Sequence, residues 1–465
     1  MKRLIHLGGA WLLTVVGVAV PAWAQVPGGT GSYSGPSLLS RWSRMGGGVG
    51  SRGPFIRAFV TGTYSYMDGL IGPVTQISSL PSGSATPEAV RIDSAGVQNL
   101  VGAGGVSLSR SDSRSGLTLG YQASYSRAFS KTSNVYQGLN QDLNINYERQ
   151  LSRRWGFYTG HMAGTQSSIL GLARQTDQRN LFDNSYTIAN EALDTRSNFF
   201  NSSAGVFFQV NRKLTFSWDG GVFYVNRRSS ALASARGERA QGEISYRISR
   251  NQSIGAVYSF SHFYFPRGFG ETYTHSVMLA TSRVLNRHWM LQLAAGPYQS
   301  ESERLQTVAV DPFIAQLTGN KTTIAVFHGK NYGIGGSISV SANYRKNSFG
   351  ASFRRGVDPG NGVTLSAVND FAQSSWSYHG SRKWSLGATV YGSRLKPLLV
   401  GAERRADFRS VGGAANYSYR IAGPVHFVAT FAAQTIRYDL LHITQLRRSY
   451  TVGLGYSPGE FALSR

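Results

Sequence analysis

Two histidines flank a short glycine-containing step, His262 in "YSFSHFYF" and His275 in "ETYTH", and of all the residues in this 465-residue sequence they come nearest to an acid–base pair. Imidazole titrates near neutral pH, and a hairpin centred on Gly268 and Phe269 sets the two rings opposite each other. Alternation, however, puts His262 on the face of Tyr258 and Phe260, and His275 on the face of Val277 and Leu279. Hydrolytic chemistry needs a nucleophile or a carboxylate beside the imidazole, and the nine histidines are scattered without one. "GVGSRG" from Gly48 has the spacing of a phosphate-cradling loop, but that function requires a strand before it and a helix after it, and the Gly/Ser-rich context supplies neither. Cysteine is absent, which removes thiolate nucleophiles and thiolate ligands. No catalytic residue, metal site or cofactor is therefore expected, and the chain does not read as an enzyme.

What does recur is a basic step at the start of an alternating segment: "LSRRWGFYTG" at 151, "VNRKLTFSWDGG" at 210, "ISRNQSIGAVYSF" at 248, "LNRHWMLQLAAGPY" at 285, "YRKNSFGASF" at 344 and "GSRKWSLGATVYG" at 380. Arg114, Arg153, Arg212, Arg250, Arg287, Arg345 and Arg382 stand 39, 59, 38, 37, 58 and 37 residues apart. Each interval has room for two long strands. In "YGIGGSISVSANYR", Ile334, Gly336, Ile338, Val340 and Ala342 share one face, and Gly335, Ser337, Ser339, Ser341 and Asn343 the other. A tilted strand crossing a bilayer needs about 9–11 residues, which these segments supply. Between the basic steps lie longer connections. Two run to about thirty residues, from Ile169 and from Ser302, and a shorter one is "GVDPGNG" at 356.

At the N-terminus, Lys2 and Arg3 precede the apolar run "AWLLTVVGVAV", and Ala22-Trp23-Ala24 gives the small-x-small pattern of a cleavage site. Residues 1–24 read as a signal peptide, 25–56 as a Gly/Ser-rich periplasmic or lumenal segment, 57–458 as a barrel and 459–465 as a C-terminal tail.

With short turns, long loops and dyad strands, residues 57 to 458 resemble the outer-membrane β-barrel proteins of Gram-negative bacteria, porin-like or exopolysaccharide-export-like. The resemblance implies an all-β fold, a single transmembrane antiparallel up-and-down barrel of about eighteen strands, with sixteen the next count. It also implies an outer-membrane location, insertion by the barrel assembly machinery, and contact with outer-membrane lipids and lipopolysaccharide. Short turns are then periplasmic, where basic side chains reach phosphate and Trp sits in the interface. Arg154 with Trp155, Arg287 with Trp289, and Lys383 with Trp384 mark that rim.

Basic residues number 47 and acidic residues 23, for a net charge of +24. By parity Arg247, Arg345, Arg354 and Arg420 face the lumen, against Glu148, Asp219 and Glu243. A cationic lining lowers the barrier for anions. The expected function is a channel passing or exporting small anionic solutes or an acidic polysaccharide. A closed structural or adhesin-like barrel is the alternative, an outer-membrane enzyme a more distant one, and no nucleic-acid partner is expected.

This reading fixes sidedness. Cysteines introduced at Arg212 and Thr318 should differ on intact cells, with position 318 labelled by an impermeant maleimide and 212 labelled only after the outer membrane is opened. The reverse pattern inverts the barrel.

Overall fold

The computed structural model describes residues 52–69, 96–112, 114–129, 138–167, 196–228, 232–266, 270–310, 313, 315–316, 319, 322–362, 364–378, 380, 383–398, 407–439, 443–458 and 461–462. The leader, the first four residues of "GVGSRG", the loop near Asn180, Thr318 and Arg382 lie outside the described residues.

Long runs with period two and few helix formers leave the backbone one way to satisfy its polar groups, which is pairing between strands. The strands are β1 (Arg52–Asp68), β2 (Val97–Ser111), β3 (Ser115–Ala128), β4 (Gly138–Gln150), β5 (Trp155–Ser167), β6 (Arg196–Gln209), β7 (Leu214–Arg227), β8 (Ala235–Arg247) and β9 (Gln252–Phe265). They continue with β10 (Gly270–Val284), β11 (Trp289–Ala309), β12 (Thr322–Asn343), β13 (Asn347–Gly360), β14 (Leu365–Tyr378), β15 (Trp384–Pro397), β16 (Phe408–Ala422), β17 (Val425–Tyr438), β18 (Ile443–Tyr456) and a two-residue β19 (Phe461–Ala462). Each long strand pairs antiparallel with its sequence neighbours, and β1 pairs with both β2 and β18, which closes the sheet. The fold is a closed all-β barrel of eighteen long strands. The basic steps form the tight turns at one end, from β2–β3 round to β14–β15.

Three boundaries differ from the sequence reading. β1 starts at Arg52, ahead of Arg57. The residues expected as a tail return to the wall, with Phe461 opposite Ile56 and Ala462 opposite Phe55. The thirty-residue connection from Ser302 is mostly strand, because β11 and β12 run on as a two-stranded ribbon in register out to Val308 opposite Thr323 and Ala309 opposite Thr322. Alternation in "TVA" and "TTIAVF" continues that of the wall, so nothing local breaks the ladder there.

Register assigns the faces. Directly opposed residues point the same way, so Val60 with Tyr456 and Ile338 with Phe353 lie outside. Exposed Val60, Tyr64 and Tyr66 alternate with buried Ser65 and Met67 on β1. On the inner face small hydroxylic residues dominate, for example Ser253 and Ser261 on β9, and Thr272, Thr274 and Ser276 on β10.

Between β10 and β11 the ladder is interrupted from Ser276–Tyr298 to Leu279–Ala295, where Pro297 brings no N–H. The strands draw close there because Gly296 has no side chain. A Cβ on it would collide with the Val277 carbonyl oxygen and lie 2.7 Å from the Met278 Cα. At Gly62, by contrast, a Cβ would meet nothing within 4 Å. Gly296→Ala should therefore destabilise the barrel by about 1–3 kcal/mol, while Gly62→Ala should stay within about 0.5 kcal/mol of the native chain. Urea unfolding of the two variants in detergent measures both, and equal midpoints would show that the strands can part at Pro297.

Candidate pore and its constriction

Inner-face charge follows from register. Glu148 lies on the inner face of β4 near the tight turns, Asp219 on that of β7, and Glu243, buried, on that of β8. Arg247 ends β8 on the same face, its guanidinium donating to the carbonyls of Ser249 (3.1 Å) and Arg250 (3.4 Å) in the turn. Arg345 is exposed within the β12–β13 turn, and Arg420 is exposed at the turn end of β16. Arg354 is buried on the inner face of β13, where its Nη2 donates to Asp358 Oδ2 at 2.9 Å. Parity also places residues inside that the sequence reading passed over: Arg57, Arg227, Arg239, Arg304 and Arg447, against Asp142 and Asp358. Arginines outnumber carboxylates on the inner face among the described residues.

The lumen is narrowed by a segment that reads as an ordinary loop in the sequence. β13 follows β12 only up to Arg355, opposite Gly336; above that point β12 pairs with β11 alone and β13 with β14 alone. The β13–β14 hairpin, which carries "GVDPGNG", thus parts from β12 while β14 stays paired with β15 as far as Ala367 opposite Pro397, and it folds in over the lumen. Its turn uses positive φ at Gly360 (72°) and Gly362 (86°), and Asn361 Oδ1 accepts from the Thr364 N–H at 2.9 Å.

Across the barrel, the Ala233 N–H donates to the Gly362 carbonyl at 2.9 Å, and the Ser366 and Thr272 hydroxyls meet at 2.6 Å. Apolar packing completes the bridge. Val357, Leu365 and Val368 of the hairpin and Leu398 join Phe223, Val225, Phe263, Phe265 and Tyr298 of the inner wall. Asn369 donates to Asp358 Oδ2 at 2.5 Å, so Asp358 ties Arg354 to the second strand of the hairpin.

The outer face separates the remaining side chains. Trp155, stacked on Phe208 at 4.4 Å, Trp289, whose Nε1 donates to Tyr344 at 2.8 Å, and Trp384, 5.0 Å from Tyr378, all lie at the tight-turn end. Arg154, Arg287 and Lys383 are exposed in the neighbouring turns.

The two histidines are not opposed. The β9–β10 hairpin closes between Phe265 and Gly270, which puts His262 opposite Tyr273 and His275 opposite Phe260. His262 stacks on Tyr273 at 4.3 Å between Glu238 (3.2 Å) and Glu271 (3.3 Å), on the outer surface toward the loop end. Near the same end Arg394, Arg409 and Arg437 stand directly opposite one another on three strands. Asp407, just before β16, contacts Arg394 at 2.7 Å and Arg409 at 3.6 Å. Burial raises the Asp407 pKa, but the hydrogen bond and charge of Arg394, with those of Arg409, outweigh it and hold the carboxyl below its ordinary value.

No family model and no curated protein matches the chain. Among solved structures it is similar to Pseudomonas aeruginosa OccK5 (OpdH), at 9% identity and a TM-score of 0.40 over 87% of this chain and 98% of that one. It is similar to Pseudomonas aeruginosa OccK9 (OpdG) at 12% and 0.41 over 87% and 98%. A BenF-like porin from Pseudomonas fluorescens Pf-5 matches at 10% and 0.40 over 86% and 98%. At such identities and TM-scores the likeness carries no information on cargo.

If the hairpin is the narrowest part of the lumen, replacing residues 358–367 by an Asn-Gly turn should raise single-channel conductance severalfold without dissociating the barrel. Unchanged conductance would locate the constriction elsewhere.

Proposed function

We propose that this chain is an outer-membrane channel for small anionic solutes. The observation that carries the membrane location is the outer face, where Leu279 is 74% exposed, Ile334 72% and Val411 60%. Bands of this kind are far larger than the apolar patches a water-soluble monomer tolerates, and a closed barrel is the β architecture that leaves no backbone edge in hydrocarbon. The tight turns face the periplasm, Trp155, Trp289 and Trp384 sit in the interface on that side, and outer-membrane lipids surround the wall.

The wide, polar, arginine-rich inner face supports the choice of anions, and the bridging hairpin favours small solutes over a polysaccharide chain. Arg354 is a poor selectivity residue because Asp358 neutralises it. Arg239 and Arg304, at mid-wall and toward the loop end, are better placed. One observation favours a second reading, that of a closed structural barrel: the hairpin rests on an apolar cluster, which water does not readily enter.

In planar bilayers the protein should conduct, with a reversal potential under a salt gradient that reports preference for anions. Arg239→Glu should move that potential toward cation preference, because it replaces a positive with a negative group on the lining. A barrel that stays closed at every voltage supports the structural reading, and cation preference in the native chain removes the anion assignment.

A further inference from the structure

We propose that an outward-facing cleft on β2, β3 and β4, at the tight-turn rim, binds the phosphate of an anionic glycerophospholipid. The cleft has a volume of about 530 Å³ and is bordered by Arg110, Arg114 and Arg149 over a floor that includes Leu117 and Tyr147. At about 30 Å³ per water it holds the equivalent of roughly eighteen water molecules, ample for a glycerophosphate group.

Register builds this arrangement. Arg110 lies opposite Leu117, and Leu117 opposite Tyr147, so one cation and two lipid-facing side chains form a row across three strands. One step nearer the turns, Ser115 lies opposite Arg149. Asp112 is the carboxylate in the cleft, and it is engaged by Arg110 Nε at 3.3 Å and by the Ser115 hydroxyl at 3.2 Å. Arg114 and Arg149 have no acidic partner among the described residues, which leaves the cleft a net positive charge.

Some basic side chains at other turns are already engaged. Arg247 spends its donors on turn carbonyls, Arg287 contacts His288 at 2.9 Å, and Lys213 sits over the Tyr246 ring at 6.0 Å. The cleft is also continuous with apolar wall. Tyr147 packs on Phe157 at 5.7 Å, and the exposed Trp155 next to it marks the interface level. A soluble anion would use the guanidiniums and ignore that floor; a phospholipid uses both, its phosphate taking charge-assisted hydrogen bonds and its acyl chain lying along Leu117 and Tyr147. The choice of a glycerophospholipid over lipopolysaccharide rests on the periplasmic placement of the tight turns proposed above.

Native mass spectrometry of the detergent-purified protein, titrated with phosphatidylglycerol, phosphatidylethanolamine or inorganic phosphate, tests this. One phosphatidylglycerol should remain bound at energies that strip phosphatidylethanolamine. The double variant Arg114→Ala/Arg149→Ala should bind it roughly thirtyfold more weakly, while Arg250→Ala/Arg345→Ala, at other turns, should bind as the native chain does. Arg149→Lys, which keeps the charge, should retain most of the affinity and serves if the double variant does not fold. Equal retention of the two lipids, unchanged affinity in the Arg114/Arg149 variant, or full displacement by inorganic phosphate would overturn the lipid site. Labelling of a cysteine at position 212 from outside would instead overturn the orientation, and with it the choice of lipid class, while leaving the lipid difference in detergent intact.

Discussion

Every feature of this molecule depends on one requirement, that no backbone N–H or C=O be left unpaired where water cannot reach it. In hydrocarbon an unpaired peptide group costs several kcal/mol, so a sheet with two edges is not a solution and a closed ladder is. β1 meets the requirement by accepting β2 on one side and β18 on the other, and β19 extends the seam past the end of β18. Closure also fixes register all the way round, since a slip of one residue anywhere would turn a strand's apolar face into the lumen. Besides register shifts near the ends of β1 and β16, the wall tolerates an interruption of the β10–β11 ladder at Pro297, where Gly296 lets the chains pack instead of pair.

Once register is fixed, charge can occupy few places. On the outer face, ion pairs gather toward the loop end: Glu301 with Lys330 at 2.8 Å, Glu303 with His328 at 3.0 Å and Arg355 with Asp370 at 3.2 Å. Arg110, Arg114 and Arg149 gather at the turn end. Between the two groups most outward residues are aromatic or aliphatic, an exception being His161 on β5, which meets the Thr159 hydroxyl at 2.8 Å and the Ser202 hydroxyl at 2.9 Å. The three opposed arginines on β15, β16 and β17 are an exception to good sheet design, because like charges directly across a ladder repel. Asp407 between Arg394 and Arg409, and Asp439 at 2.7 Å from Arg437, offset part of that cost.

The regular part of this architecture could be read from the chain, because it is periodic. Strand number, the sense of each face and the identity of the tight turns all follow from a period of two and a recurring Arg or Lys step. Details that depend on where a ladder stops could not. The centre of the β9–β10 hairpin lies one position before the symmetric guess, which is enough to replace His275 by Tyr273 opposite His262. Ser302 to Ala309 looks like loop only if strands are assumed to end at the membrane. Arg354 has the inward parity expected of it, but its partner four residues on is out of reach along a flat strand. Departure of the strand from β12 after Arg355 brings Asp358 to it.

That departure has its own logic, written in residues that are wrong for a polar lumen. Phe223, Val225, Phe263 and Phe265 all have inward parity near the loop end, where a water-filled pore calls for Ser or Thr. Left bare they would expose a large apolar surface inside the barrel. Val357, Leu365 and Val368 have the same difficulty on a hairpin too short to serve as an external loop of its own. Bringing the two sets together removes both from water, and Gly360 and Gly362 supply the chain reversal at the hairpin tip. The contact between the Thr272 and Ser366 hydroxyls and the bond from Ala233 to Gly362 then fix where the tip lands. The bridge is thus held mainly by apolar burial, with polar contacts setting its position, and the part of the chain that narrows the lumen answers to the same hydrophobic constraint as the apolar outer band.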